Sequence, residues 1–214
     1  NSVNKTKVLF YGDSPTAATG FATISRQILN GLNKSGKFDV TVHGINYWGD
    51  PHPYPYPIYP IGIGGRDPYG RERAANMMKE MDFEILFLFQ DSFILDSFRD
   101  ALPQLKAMGK KFVTVIYYPI DGVPKKVWID AMNSMADIAV VYTDYGKRQS
   151  IGACPAIESK IKVIPHGVNS NDFFPLPKDK TEEFRKAYFG KNAGKFIVSD
   201  INRNQQRKDF PRAM

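Results

Sequence analysis

Cysteine is all but missing from this chain. Cys154 is the single one in 214 residues, so no internal disulfide framework holds the fold and a reducing compartment is the natural setting. The plain reading of that thiol is a small packing residue. Metal-ligand spacings are missing too: His43, His52 and His166 are scattered, and HExxH, CxxC and DxD do not occur, so a metal-dependent mechanism finds no support. The sequence has no GxGxxG, no GK[ST] ending and no GxSxG elbow, which removes the motif basis for dinucleotide, triphosphate-loop and α/β-hydrolase chemistry. The longest apolar run, FVTVIYYPI at 112–120, falls well short of the roughly 18 residues of a membrane span and reads as a buried strand. The opening NSVNKTK has neither the apolar core of a signal peptide nor a methionine, so the natural start is expected upstream.

What is present is the composition of a globular protein, 43% hydrophobic and 24% charged, in a length that suits one full domain and part of another. The net charge of +7 is uneven. Residues 178–214 hold 10 Lys and Arg against 5 Asp and Glu, whereas residues 1–177 hold 19 against 17. A basic face in the last segment suits a phosphate ligand, an anionic membrane surface or nucleic acid, or serves solubility alone.

Apolar runs and helical patterns alternate along the first 165 residues. TKVLFYG at 6–12 reads as a strand; Phe21, Ile24, Ile28, Leu29 and Leu32 recur at three- and four-residue steps, as on one helix face; FDVTVHGI at 38–45 is a second strand. Further strands are expected at 84–89, 111–118 and 138–142 and at KVIP, with helices over 69–81, over a stretch carrying Leu95 to Met108, over one carrying Val127 to Met135, and from Asp144. Short, continuous, β-branched runs between helices predict a parallel sheet buried on both faces, hence an α/β, Rossmann-like domain over 1–168. Between Asn46 and Pro60 prolines at alternate positions exclude a central strand. That segment is expected to be an extended surface loop whose tyrosines pack on the domain, or else a wall that receives a partner or acceptor. Pro165 and Gly167 end the last run, residues 169–194 read as a hinge, and KFIVSDI at 195–201 reads as the first strand of a second domain.

Open parallel sheets bind ligands beyond the carboxyl ends of their strands. The residues that fall there are Gly12, Asp13, Thr19 and Gly20; Gln90, Asp91 and Ser92; Pro119, Asp121 and Gly122; Thr143 and Asp144; and His166, Gly167 and Asn169. Gly20, near a helix N-terminus, would let a ligand approach amide donors that favour anions. After KFIVSDI come Arg203, Arg207 and Lys208, cations suited to a diphosphate.

The glycine-bounded loop after the first strand, the string VIPHGVNSNDFFP at 163–175, and a strand followed by Arg203 and Lys208 together resemble glycosyltransferase family 4. The resemblance implies the GT-B architecture of two Rossmann-like domains facing across a cleft. It implies a retaining, metal-independent transfer of sugar from a nucleotide-sugar, which is a substrate and not a cofactor, to a sugar, lipid or protein acceptor. By motif match Arg203 and Lys208 would grip the diphosphate, and Gly12 and Gly20 would face the reactants; Asp13, Thr19, Asp91 and His166, placed by their positions after strands, are expected to line the cleft. Asp121 in YYPIDG takes the place where many members carry a histidine near the donor sugar, and so is the candidate catalytic group. The family's paired glutamates would lie beyond residue 214, so this chain is expected to hold the first domain and the start of the second and to turn over little alone. A cytoplasmic protein, with peripheral membrane contact open and no nucleic-acid partner, goes with that reading. A non-catalytic Rossmann-like module whose basic tail docks on an anionic partner is the other reading.

Overall fold

The computed structural model describes residues 4–62, 66–199 and 201. In chain order the elements are β1 (Thr6–Asp13), α1 (Gly20–Lys34), β2 (Phe38–Ile45), β3 (Ile58–Pro60), α2 (Arg71–Glu80), β4 (Ile85–Phe89), α3 (Ser92–Leu95), α4 (Ala101–Ala107), β5 (Val113–Tyr117), α5 (Lys126–Met135), β6 (Ile138–Val141), α6 (Asp144–Ala153), β7 (Ile161–Val163) and α7 (Lys178–Phe189). The seven strands form one sheet in the order β3-β2-β1-β4-β5-β6-β7, and every neighbouring pair is parallel. This is a Rossmann-like α/β fold, with the strand order reversing between β1 and β4.

Alternation along each strand sends side chains to two separate cores. One face meets α2 to α6: Leu9, Leu86, Leu88, Ile116 and Val141 pack with Met78, Leu102, Ile129 and Met132. The other face, with Val8, Phe10, Val42, Phe89 and Tyr117, is met by Leu29 of α1 and by Tyr47 and Tyr56. The methionines at 77, 78, 132 and 135 are buried core residues, as is Cys154.

Two local expectations are corrected. The stretch from Leu95 to Met108 is not one helix: α3 passes through a 3-10 turn at Asp96–Phe98 into α4. Pro103 lacks an N–H and its ring crowds the carbonyl four residues back, so it suits the first turn of a helix and not an interior, and α4 starts two residues before it. Met108 falls on the C-cap of α4 and is largely exposed. The proline-rich segment ends in β3, a three-residue edge strand pairing with β2 at Val42 to Gly44, an edge being where proline is tolerated in a sheet. The rest of that segment is an ordered loop whose tyrosines pack as expected. Tyr47 and Tyr56 are buried, Tyr54 stacks on Tyr56 at 5.6 Å, and the Tyr54 hydroxyl donates to the Pro15 carbonyl at 3.0 Å.

The chain separates into two compact units, Asn1–His166 and Gly167–Met214. In the second, α7 buries none of its residues. The strand expected at 195–201 is not formed at 195–199 or 201. Phe196, Val198 and Ile201 are almost fully exposed there; among the described residues no strand neighbours this run, and an apolar run needs such a neighbour to pair its amides.

Candidate functional site

The carboxyl edge of the sheet at the β1/β4 reversal is built around Asp13. This carboxylate is buried, and burial demands that its lone pairs be met. The Thr19 hydroxyl donates to Oδ2 at 2.5 Å, the Asn46 amide to the same oxygen at 3.3 Å, and Gln90 Nε2 to Oδ1 at 2.9 Å. Thr19 in turn caps α1, its Oγ1 accepting from the Ala22 amide at 3.0 Å, while Gln90 Oε1 accepts from the Asp91 amide at 3.0 Å. One buried charge therefore ties the ends of β1, β2 and β4 to the first turn of α1. Asn46 holds a left-handed backbone, φ 61°, which asparagine tolerates better than most residues.

The loop from Ser14 to Thr19 is gripped as well. The Ser14 and Thr16 hydroxyls share a hydrogen bond at 2.7 Å, and the Pro15 carbonyl accepts from Arg26 Nε and Nη2 at 3.1 and 3.0 Å. The two glycines flanking this region differ in role. A Cβ on Gly12 would stand 2.8 Å from the Phe89 carbonyl oxygen and 2.9 Å from the Phe10 ring, so glycine there serves close packing of β1 on β4. A Cβ on Gly20 would meet nothing within 4 Å; backbone at the start of α1 is open to an approaching group.

Further along the edge the strand ends turn aromatic. His166 lies against Tyr142 with ring centroids 3.7 Å apart, and against Tyr117 at 5.5 Å and Phe89 at 6.4 Å. The Tyr117 hydroxyl donates to the Ile164 carbonyl at 2.5 Å, fixing the chain just before His166. Desolvation lowers the His166 pKa from its ordinary value. Burial first, then Tyr117 and Asp91, raise that of Tyr142, whose hydroxyl meets no partner among the described residues. The edge is thus a neutral aromatic stretch beside a polar cluster.

The structure brings together Gly12, Asp13, Thr19 and Gly20, joined by Gln90 and the backbone of Asp91, and places His166 against Phe89 of β4, Tyr117 of β5 and Tyr142 just after β6. Asp121 sits exposed on the loop between β5 and α5, one strand away from the Asp13 cluster. Arg203 and Lys208 lie outside the described residues. Asn46, Tyr117 and Tyr142 were not singled out by sequence. For the tyrosines the available signal was an aromatic at or next to the end of two consecutive strand runs; for Asn46 there was none, because its partner is 33 residues away. Among the described residues no group of three His, Cys, Asp or Glu could hold a metal ion, and no helix is long and apolar enough to cross a membrane.

A scan of protein-family models and a search of curated proteins each return no match to this chain.

Proposed function

We propose that this chain belongs to a retaining, metal-independent glycosyltransferase of GT-B type, and that its first unit contributes one wall of the site where a nucleotide-sugar meets its acceptor. What carries the reading is the open backbone at Gly20, held in place by the Asp13, Thr19 and Gln90 bonds at the point of strand reversal. Ligands of parallel α/β sheets settle at such a point, and N-terminal helix amides favour anions. Arg203 and Lys208 clamp the diphosphate as it leaves, Arg by a planar fork and Lys as a point charge. The acceptor hydroxyl attacks the anomeric carbon on the same face from which the diphosphate departs, as retention requires, and its proton passes to an oxygen of the leaving diphosphate; Asp121 stands beside the donor sugar, His166 lines the cleft, and the work of the protein is to hold acceptor and donor side by side. A cytoplasmic setting, possible only for a chain without dependence on disulfides, goes with Cys154 being alone.

Calorimetric titration with UDP-, GDP- and ADP-sugars tests this. The expected result is weak, saturable binding of one of them that is competed by the free nucleoside diphosphate and lost in Arg203→Ala/Lys208→Ala. The second reading rests on the excess of 10 cations over 5 acids in residues 178–214. Salt-sensitive binding to duplex DNA, indifferent to nucleoside diphosphates, with no nucleotide-sugar bound, would replace the first reading by that one.

A further inference from the structure

His43 is a buried titratable side chain that the proposed chemistry does not use. It points from β2 into the layer under α2, is 1% exposed, and neither ring nitrogen meets a hydrogen-bond partner among the described residues. The ring is wedged between two surfaces. Tyr11 of β1 lies on one side at 5.3 Å between centroids. Gly70, the N-cap of α2, lies on the other, so close that a Cβ at 70 would stand 2.7 Å from His43 Cε1 and 2.9 Å from Nε2. Gly70 also holds φ 57°, so space and conformation both require glycine there.

We propose that His43 is an acid-sensitive catch: neutral, it seats the first turn of α2 on the sheet, and protonated, it releases that turn before the sheet itself opens. Burial opposes a second ring proton more strongly than the backbone carbonyls of His43 and Gly70 favour it, and the Gly70 carbonyl already accepts the first helical bond from the Ala74 amide at 2.9 Å. An imidazolium would compete for that oxygen and unwind the turn. The charged groups facing the ring add to this. Arg73 of α2 opposes a cation and Asp67 favours one, but the Asp67 carboxylate is engaged by the Tyr69, Arg71 and Glu72 amides and by Arg71 Nε. Tyr11 commits its hydroxyl to the Tyr69 carbonyl at 2.9 Å, and from β3 the register partner of His43 is Tyr59. The partial positive charge of the α2 N-terminus points the same way as Arg73.

Burial lowers the His43 pKa to about 4 from an ordinary 6.5. A group whose closed-state pKa is depressed stabilises the closed state above the open-state value and loses that contribution as pH falls toward the closed-state one. The opening constant therefore rises about ten-fold per pH unit between those two values and is flat above them. Asp67 does not confuse this window: burial raises its pKa, but the amides of Glu72, Arg71 and Tyr69 and the Arg71 side chain outweigh that and hold it below 3.8.

Amide hydrogen exchange of the whole chain between pH 7.5 and 4.5, corrected for intrinsic rates, reads the device. The expected result is protection of the α2 amides from Ala74 to Met78 falling about ten-fold per unit below pH 6.5 while amides of β1 and β4 hold, and no such fall in His43→Phe. Loss of α2 and sheet protection together, or an unchanged slope in His43→Phe, would overturn it. If that variant does not fold, the carbon-bound ring proton of His43 in the unaltered chain decides. A midpoint far below 6.5 that tracks α2 opening supports the catch, and free titration near 6.5 with α2 closed overturns it.

Discussion

At the residue scale the site is an exercise in satisfying one buried carboxylate. Asp13 accepts from three side chains carried by three elements, so removing its charge or any donor leaves a buried group short. Asp13→Asn puts an N–H2 where one set of donors already points, and should cost roughly 1–3 kcal/mol in denaturant unfolding, the range for an unsatisfied buried polar group. Thr19→Ala removes a donor and the α1 cap together. A loss of about 1–2 kcal/mol is expected, most of it restored in Thr19→Ser, which keeps the hydroxyl; equal losses in the two variants would show that the methyl, not the hydrogen bonds, matters. Gly12→Ala forces a Cβ to within 2.8 Å of the Phe89 carbonyl oxygen, and overpacking of that kind costs about 1–3 kcal/mol. Its counterpart Gly20→Ala, with nothing within 4 Å, should leave Tm nearly unchanged. If Gly20→Ala nevertheless weakens nucleotide-sugar binding, the open backbone there is ligand-facing.

At the element scale, stability divides between the two units. α1 carries a side-chain cap and a buried face with Ala22, Ser25 and Leu29, whereas α7, 12 residues long, has no side-chain cap and no buried residue. Its Lys180–Glu183 ion pair is solvent-exposed and adds a few tenths of a kcal/mol at best. Helices this short are marginal without packing. Amides of α7 should therefore exchange orders of magnitude faster than those of α1 at neutral pH, and equal protection would mean that α7 is held by packing not seen here.

The elements also show what sequence could and could not reveal. β2, from Phe38 to Ile45, was legible to the residue because Gly36 punctuates its start and its apolar run is continuous. The α3–α4 break was concealed because Leu95, Phe98, Leu102 and Leu105 all face the core in either arrangement; only Pro103 argued otherwise. β3 was obscured by the prolines that confine it to an edge. In the site, Asp13 and Thr19 were visible as polar residues at a strand end, six apart. Gln90, the third partner in the Asp13 cluster, is 77 residues from Asp13, and only the placement of β4 beside β1 brings it there.

At the scale of the whole molecule, the sheet and both of its cores lie in the unit that ends at His166. A chain ended at Ser170 keeps all seven strands and the Tyr117 bond to the Ile164 carbonyl. It should unfold cooperatively with a Tm within a few degrees of the intact chain, since none of the described residues removed, 171–199 and 201, is buried. The proposed division of labour places the diphosphate-gripping cations Arg203 and Lys208 on the segment this shortened chain lacks, so it should fold but bind no nucleotide-sugar. The most direct measurement is a two-dimensional amide NMR titration of the intact chain with the nucleotide-sugar that calorimetry selects. The expected result is a set of shift changes joining Gly20, Asp91 and His166 at the carboxyl edge to Arg203 and Lys208. Changes confined to the basic segment, or absent at every one of these positions at millimolar ligand, would contradict the sugar-transfer reading.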